Sequence, residues 1–147
     1  MSKEIMPKIA MVMAAGFGTR MRPLTDNLPK PLIPVLKKPL IDYSLDFLAV
    51  SGISEAIVNS HYLAELLEVH LAARSELPHI HNSREDVVLE TGGGVKNALK
   101  ILDELSGDSA FFVINSDVIC INGNIPALHR LWQCWDDSKM DALLLLH

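Results

Sequence analysis

Two kinds of apolar segment alternate along the chain. Continuous apolar runs are typical of strands buried on both faces of a sheet, and apolar residues at i, i+3, i+4 and i+7 are typical of helices. The strand-like runs are KIAMVMA (8–14), EAIVNS (55–60), HIHNS (79–83), AFFVINSD (110–117) and MDALLLLH (140–147). The helix-like segments are 41–52, which Gly52 is expected to end, 62–73, 94–105 and 125–135.

This alternation predicts an α/β fold with a parallel sheet and helices on both faces. In such sheets ligands bind beyond the carboxyl ends of the strands, so the loops after Ala14, Asn59 and Ile114 are the candidate site. In the second helix, Leu63, Leu66, Leu67 and Leu71 are expected on one face. A bare apolar strand at 140–147 is either paired by topology or belongs to a longer domain.

Composition narrows the class of protein. The chain has 147 residues, 49% of them hydrophobic, and a formal net charge of −5. This balance predicts one globular domain over 1–147 and a small-molecule partner rather than a nucleic acid. Cys120 and Cys134 match no metal spacing and are expected to be free thiols. No run reaches the length of a membrane span and no signal segment is visible, so the expected location is cytoplasmic.

The loop after the first strand carries the clearest chemistry. Gly16 and Gly18 let the backbone approach a ligand closely, and successive N–H groups can cradle phosphate oxygens. Arg20 and Arg22 add positive charge, and Lys30 is held between two prolines. The loop lacks both the lysine of a Walker motif and the third glycine of the dinucleotide-binding fingerprint.

The segment AAGFGTRMRPLTDNLPKPLIPV (14–35) resembles the signature of the sugar-1-phosphate nucleotidyltransferases, also known as NDP-sugar pyrophosphorylases. IVNSHYLAE (57–65), LETGGG (89–94) and INSD (114–117) follow in the family's order. The LETGGG form is similar to that of enzymes acting on N-acetylmuramate 1-phosphate with UTP, and to bacterial mannose- or heptose-1-phosphate guanylyltransferases. The resemblance implies a Rossmann-like three-layer α/β/α sandwich with a mostly parallel sheet, of which the C-terminal part is absent here.

The resemblance also implies an activity, the transfer of a nucleotidyl group from UTP or GTP to a sugar 1-phosphate with release of pyrophosphate. Arg20 would bind the β and γ phosphates, Lys30 would neutralise charge at the α-phosphate, and Asp117 would hold Mg²⁺ rather than cap a turn. The nucleotide-binding residues would be Ala14, Ala15, Gly16, Gly18, Thr19, Arg20, Lys30, Thr91, Gly92 and Gly93.

Other assignments stay open at the sequence level. Asn59 and His61 are interpreted either as base or sugar contacts or as structural residues, and Glu90 either as such a contact or as a surface carboxylate. Val88 stands where several family members carry a base-reading glutamine, so the base is not fixed. Turnover, nucleotide binding without turnover, and a regulatory role all remain, and the C-terminal strand is a possible homo-oligomer contact.

Overall fold

Four parallel strands form the central sheet. The computed structural model describes residues 5–106 and 110–146. Its strands are β1 (Ile9–Met13), β2 (Pro34–Val35), β3 (Lys38–Pro39), β4 (Glu55–Ser60), β5 (His79–Arg84) and β6 (Phe112–Asn115). Its helices are α1 (Leu40–Val50), α2 (Ala64–Ala72), α3 (Glu90–Ser106) and α4 (Ala127–Cys134), with 3-10 turns at Thr19–Met21 and Lys30–Leu32.

The strands of the central sheet lie in the order β5-β4-β1-β6, so β1 is an inner strand with a neighbour on each side. Ala10 is in register with Ala56 on one side and with Phe112 on the other, both in parallel pairing. Ala10, Met11 and Val12 are fully buried. Because successive side chains of a strand point to opposite faces, both faces of β1 are covered. The prediction of a parallel α/β fold is therefore confirmed.

The helix α3 contributes one apolar stripe to the core beneath this sheet. Ala98 and Leu102 pack with Ile9, Met11 and Ile57. The helix α2 packs against β4 and β5. The end of α1 also follows the sequence, since Gly52 comes two residues after it with φ 85°, a conformation that glycine adopts without strain.

Three local predictions are wrong. In α2 the buried residues are Ala64, Leu67 and Leu71, whereas Leu66 is 44% exposed, because the turn of the helix places it beside the buried stripe. Residues 140–146 form no strand among the described residues, and His147 lies outside them. Apolar character alone does not make a strand, which exists only where a neighbouring strand supplies backbone partners.

The third wrong prediction is the start of α3. This helix begins at Glu90, so that TGGG forms its first turn rather than a loop leading into it.

The contacts between residues divide the chain into two compact units. One is Pro7–Cys120, and the other consists of the described residues within Met1–Met6 and Ile121–His147. Within the described residues, no helix is long and apolar enough to cross a membrane.

Candidate active site

The glycine loop that follows β1 folds back on the segment after it. Gly18 adopts a left-handed conformation with φ 63°, and a Cβ atom there would lie 2.9 Å from Thr25 Cγ2 and 3.0 Å from Lys30 Cβ. The Thr25 hydroxyl donates a hydrogen bond to the Gly18 carbonyl oxygen at 2.9 Å. Both the backbone conformation and the tight packing therefore require glycine at position 18.

Lys30 and Asp117 meet in an ion pair, although 87 positions separate them in the sequence. Lys30 begins a 3-10 turn after Pro29, and Asp117 lies just beyond the carboxyl end of β6. Met13 is in register with Asn115, so the segments after β1 and β6 leave the sheet side by side. The two side chains are 25% and 33% exposed, so a ligand can reach the pair.

Arg20 is exposed in the 3-10 turn of the glycine loop, with no ion-pair partner among residues 5–106 and 110–146. Arg22, two positions later, pairs with Asp26, with 3.5 Å between Nε and Oδ1. The guanidinium of Arg20 is thus available for an anion from solution, whereas that of Arg22 already faces a carboxylate.

Asn59 lies at the carboxyl end of β4, but its amide is used within the protein. The Ala14 N–H donates to Asn59 Oδ1 at 2.6 Å, and Asn59 Nδ2 donates to Glu85 Oε1 at 2.7 Å. Asn59 is 1% exposed and Glu85 is 3% exposed. The Leu89 N–H donates to the other carboxyl oxygen of Glu85 at 3.0 Å. This arrangement favours the structural interpretation of Asn59 over direct contact with a ligand.

His61 is also placed mainly by its protein neighbours. Its Nδ1 lies 2.8 Å from the Glu85 carbonyl oxygen, and its ring meets that of Phe17 edge to face at 5.5 Å between centroids. The adjacent Tyr62 hydroxyl donates to the Thr25 carbonyl oxygen at 2.8 Å. Phe17 is nearly half exposed, so this aromatic group lies at the surface beside the glycine loop.

The first turn of α3 presents Glu90, Thr91 and Gly92 to solvent. The first backbone N–H groups of a helix have no partner within the helix and favour anions or acceptor groups. One turn on, a Cβ atom at Gly94 would lie 2.8 Å from both Asn59 Nδ2 and Glu85 Oε1, and 3.0 Å from Met13 Cε. The start of α3 therefore packs directly against the end of β1.

The candidate site offers the partly exposed Asp117 carboxylate to a metal ion, whereas the Glu85 carboxyl group is buried and already hydrogen-bonded within the protein. No group of three or more His, Cys, Asp or Glu side chains in the described part of the chain could hold an ion alone. Asp117 nevertheless suits Mg²⁺, which is usually bound through one or two carboxylates together with substrate phosphates. Its partly exposed carboxylate beside the glycine loop has the required type and access.

Sequence reasoning missed Glu85, the buried carboxyl group between the two loops. The signal was available, because Glu85 directly follows β5, at the edge of the sheet where ligands of parallel α/β folds bind. The HIHNS pattern predicts a strand that ends at Ser83, one residue short of the end of β5, so its bounds do not point to Glu85.

The comparisons with known proteins agree on one family. The profile of the family described as nucleotidyl transferase matches residues 9–141. The N-acetylmuramate alpha-1-phosphate uridylyltransferase of Caulobacter vibrioides is 48% identical over 95% of this chain and 58% of its own length. The mannose-1-phosphate guanyltransferase of Hypocrea jecorina is 41% identical over 75% of this chain and 30% of its own.

Solved structures agree on the fold. A UDP-glucose pyrophosphorylase complexed with UDP-glucose superposes with a TM-score of 0.70 at 23% identity, over 87% of this chain and 53% of that one. HddC from Yersinia pseudotuberculosis, complexed with GMP-PN, gives 0.62 at 27% identity over 75% and 48%. The chain thus spans between about a third and little more than half of the length of these relatives. Because the family profile extends over most of the chain, the chain belongs to the nucleotidyl transferase family.

Proposed function

We propose that this chain is the nucleotide-binding portion of an enzyme that transfers NMP from an NTP to a sugar 1-phosphate, releasing pyrophosphate and forming an NDP-sugar. The observation that carries the proposal is the meeting of Lys30 and Asp117 at the glycine loop. The glycine loop, the segment around Lys30 and the segment around Asp117 meet at the carboxyl ends of β1 and β6, although the fold could have kept them apart. Arg20 is exposed nearby.

The residues suit a reaction between two anions. An oxygen of the sugar phosphate attacks the α-phosphorus of the NTP, and the bond from that phosphorus to the bridging oxygen of pyrophosphate breaks. The nucleophile is already anionic, so no general base is needed, and catalysis is mostly positioning and charge neutralisation. In the proposal, Lys30 neutralises the α-phosphate and Arg20 binds the β and γ phosphates, while backbone N–H groups from Ala14 to Thr19 hold the nucleotide.

Asp117 is proposed to hold Mg²⁺ together with the phosphates of the substrate. The ion would supply positive charge to the phosphate oxygens. In the structure, Lys30 neutralises the Asp117 carboxylate. A polyphosphate entering the loop offers Lys30 a second anionic partner and leaves Asp117 able to accept a cation.

Within this class, UTP and N-acetylmuramate 1-phosphate are the proposed substrates. The 48% identity to the uridylyltransferase extends over 95% of the chain, whereas the 41% identity to the guanyltransferase extends over 75%. GTP with mannose 1-phosphate is the second candidate, because no polar side chain at position 88 reads the base. Thr91, Gly92 and Gly93 are proposed to face the nucleoside, with Glu90 and His61 beside it. A cytoplasmic location completes the proposal and agrees with the free thiols of Cys120 and Cys134.

Calorimetric titration of the chain with UTP, GTP, CTP, ATP and dTTP, each with and without Mg²⁺, tests the proposal. Preferential binding of UTP that depends on Mg²⁺ is the expected result. Pyrophosphate release would then be measured with N-acetylmuramate 1-phosphate and mannose 1-phosphate. Binding without release would make the 147-residue chain a nucleotide-binding module, and the absence of binding to every NTP would contradict the proposed function.

A further inference from the structure

A chain of hydrogen bonds joins the glycine loop to the segment that leads into α3. It runs from the Ala14 N–H through Asn59 and Glu85 to the Leu89 N–H, over distances of 2.6, 2.7 and 3.0 Å. We call Asn59 and Glu85 the bridge. Ala14 opens the loop proposed to hold phosphates, and Leu89 immediately precedes the turn proposed to face the nucleoside.

The two groups at the ends of this series of hydrogen bonds determine which side chains can connect them. Both ends are backbone N–H donors, so the bridge must offer an acceptor to each end. The Asn59 amide supplies one acceptor and one donor, and Glu85 supplies two acceptors, so each group meets its complement. No other orientation of the Asn59 amide satisfies the same partners, since a flipped amide would place its NH₂ group against the Ala14 N–H.

Because the bridge is buried, losing any one of its hydrogen bonds is destabilising. Both side chains are almost entirely buried, and Glu85 has no cationic partner among residues 5–106 and 110–146. A buried polar group without its hydrogen-bond partner is destabilising. Gly94 leaves room for the bridge, because a Cβ atom there would lie 2.8 Å from both groups.

We propose that Asn59 and Glu85 are positioning residues that fix the separation between the glycine loop and the first turn of α3. Neither touches the nucleotide. The bridge acts by holding the phosphate-binding and nucleoside-binding segments at a spacing that one NTP can span. The inference rests on the proposed function for its binding readout, and on hydrogen bonding alone for its structural readout.

Three variants of the full 147-residue chain test the bridge. Glu85→Gln keeps the size of the side chain but sets an NH₂ group against a donor, at the Leu89 end if the new amide oxygen still accepts from Asn59. Asn59→Asp sets two acceptors against each other. The double variant Asn59→Asp/Glu85→Gln exchanges the two groups and restores an acceptor to each backbone N–H, with one carboxyl group still in the bridge.

Calorimetry with UTP and with inorganic triphosphate gives the readout. Glu85→Gln is expected to raise the Kd for UTP about tenfold, as displaced supporting groups do in other sites, and the Kd for inorganic triphosphate by less than about threefold. Inorganic triphosphate reaches only the glycine loop, which keeps its bond to Asn59. The double variant is expected to return the UTP Kd to within about threefold of the wild type.

Ile53→Val is the matched control for stability. Ile53 is 1% exposed and precedes the amino end of β4, whereas Asn59 lies at the carboxyl end of the same strand. Its loss of one methyl group lowers the thermal midpoint without altering the bridge, so UTP and triphosphate binding should be unchanged at a temperature where the variant is folded.

Equal losses for UTP and inorganic triphosphate in Glu85→Gln, or a double variant no better than the single ones, would overturn the inference. If both single variants fail to fold, the double variant alone decides, since it must fold and bind UTP. If the wild type binds no nucleotide, the proposed function fails. Amide hydrogen exchange at Ala14 and Leu89, slow in the wild type and double variant but fast in the single variants, would still support the bridge; equal rates would refute it.

Discussion

Arg20 and Arg22 lie two positions apart in the sequence but have different surroundings. Arg22 faces Asp26, and Arg20 faces solvent from the same loop. We therefore predict that Arg20→Ala weakens binding of UTP by about 10- to 100-fold, as expected for loss of a charged hydrogen bond of ~1.5–3 kcal/mol, and leaves binding of UMP nearly unchanged. Calorimetry with the two nucleotides checks this.

Arg22→Ala is the matched control for Arg20, because it removes the same charge from the same loop. Its effect on UTP binding should be several-fold smaller than that of Arg20→Ala. Equal losses of UTP and UMP binding in Arg20→Ala would place this side chain away from the β and γ phosphates.

Asp117 is predicted to account for the dependence of binding on Mg²⁺. Asp117→Asn keeps the shape of the side chain but removes the charge that a hard cation prefers. The ratio of UTP affinities with and without Mg²⁺ should fall at least about tenfold. Asp26→Asn, an exposed carboxylate in the loop segment after Arg22, serves as the control, and an unchanged ratio in Asp117→Asn would exclude the metal assignment.

At the scale of single residues, sequence and structure agree best where the backbone itself is constrained. Gly18 was identifiable as a position where the backbone must turn tightly, and the structure shows that it does so with a positive φ. Asn59 could not be settled, because its partner Glu85 lies 26 positions away and reaches it only through the pairing of β4 with β5.

The helix α3 illustrates how an amphipathic element stabilises the sheet. Leu102 is 2% exposed in the core cluster, and Leu99, on the same helix, is 42% exposed. Leu102→Ala should lower the free energy of unfolding by ~2–5 kcal/mol because it leaves a cavity. Leu99→Ala should change it by less than ~1 kcal/mol. Urea denaturation of both variants compares them, and similar losses would contradict the packing described for α3.

Ion pairs also connect helices and strands, and the strength of one such connection depends on pH. Asp46 on α1 is paired with Lys38 of β3 and with Arg74 after α2. Burial raises the pKa of Asp46, but the hydrogen bonds and charges of Lys38 and Arg74 outweigh it and leave the pKa below its ordinary value of 3.8. Asp46 therefore contributes stability above that ordinary pKa and loses it as the pH falls through the lowered one.

We predict that the wild type is more stable than Asp46→Asn at about pH 6, by less than ~1 kcal/mol because the carboxylate is nearly half exposed. The difference should disappear as the pH is lowered below the pKa of Asp46 in the folded state. Denaturation by urea at a series of pH values between about 6 and 2 measures it. A difference that grows as the pH falls would reverse the sign of the argument.

Helices and strands were predictable from the sequence where an apolar helix face or an apolar strand packs against another apolar surface. EAIVNS became β4 with its predicted bounds, because both faces of the strand are covered. The segment 140–146 did not become a strand, since pairing depends on neighbours that a local pattern does not specify. The early start of α3 reflects tertiary packing, in which Gly94 fits against the bridge and the helix continues back through its glycines.

At the scale of the whole molecule, every residue of the candidate site lies within the unit Pro7–Cys120. Deletion of residues 141–147 removes no residue of the candidate site, so the UTP Kd should stay within about twofold of the wild type. Light scattering of the same variant tests the possible homo-oligomer contact. We expect the same mass as for the full chain, and a smaller one would restore that segment as a contact between copies.

The central place of β1 has a consequence for synthesis. The ribosome makes β1 before either of its neighbours, because Ala10 pairs with Ala56 and with Phe112, which is made about a hundred residues later. At the usual ~5–20 residues per second, several seconds pass between translation of β1 and of its second neighbour. Until β6 is made, at least one edge of this apolar strand lacks its partner, so chaperone occupancy and codon choice before β6 bear directly on the yield of folded protein.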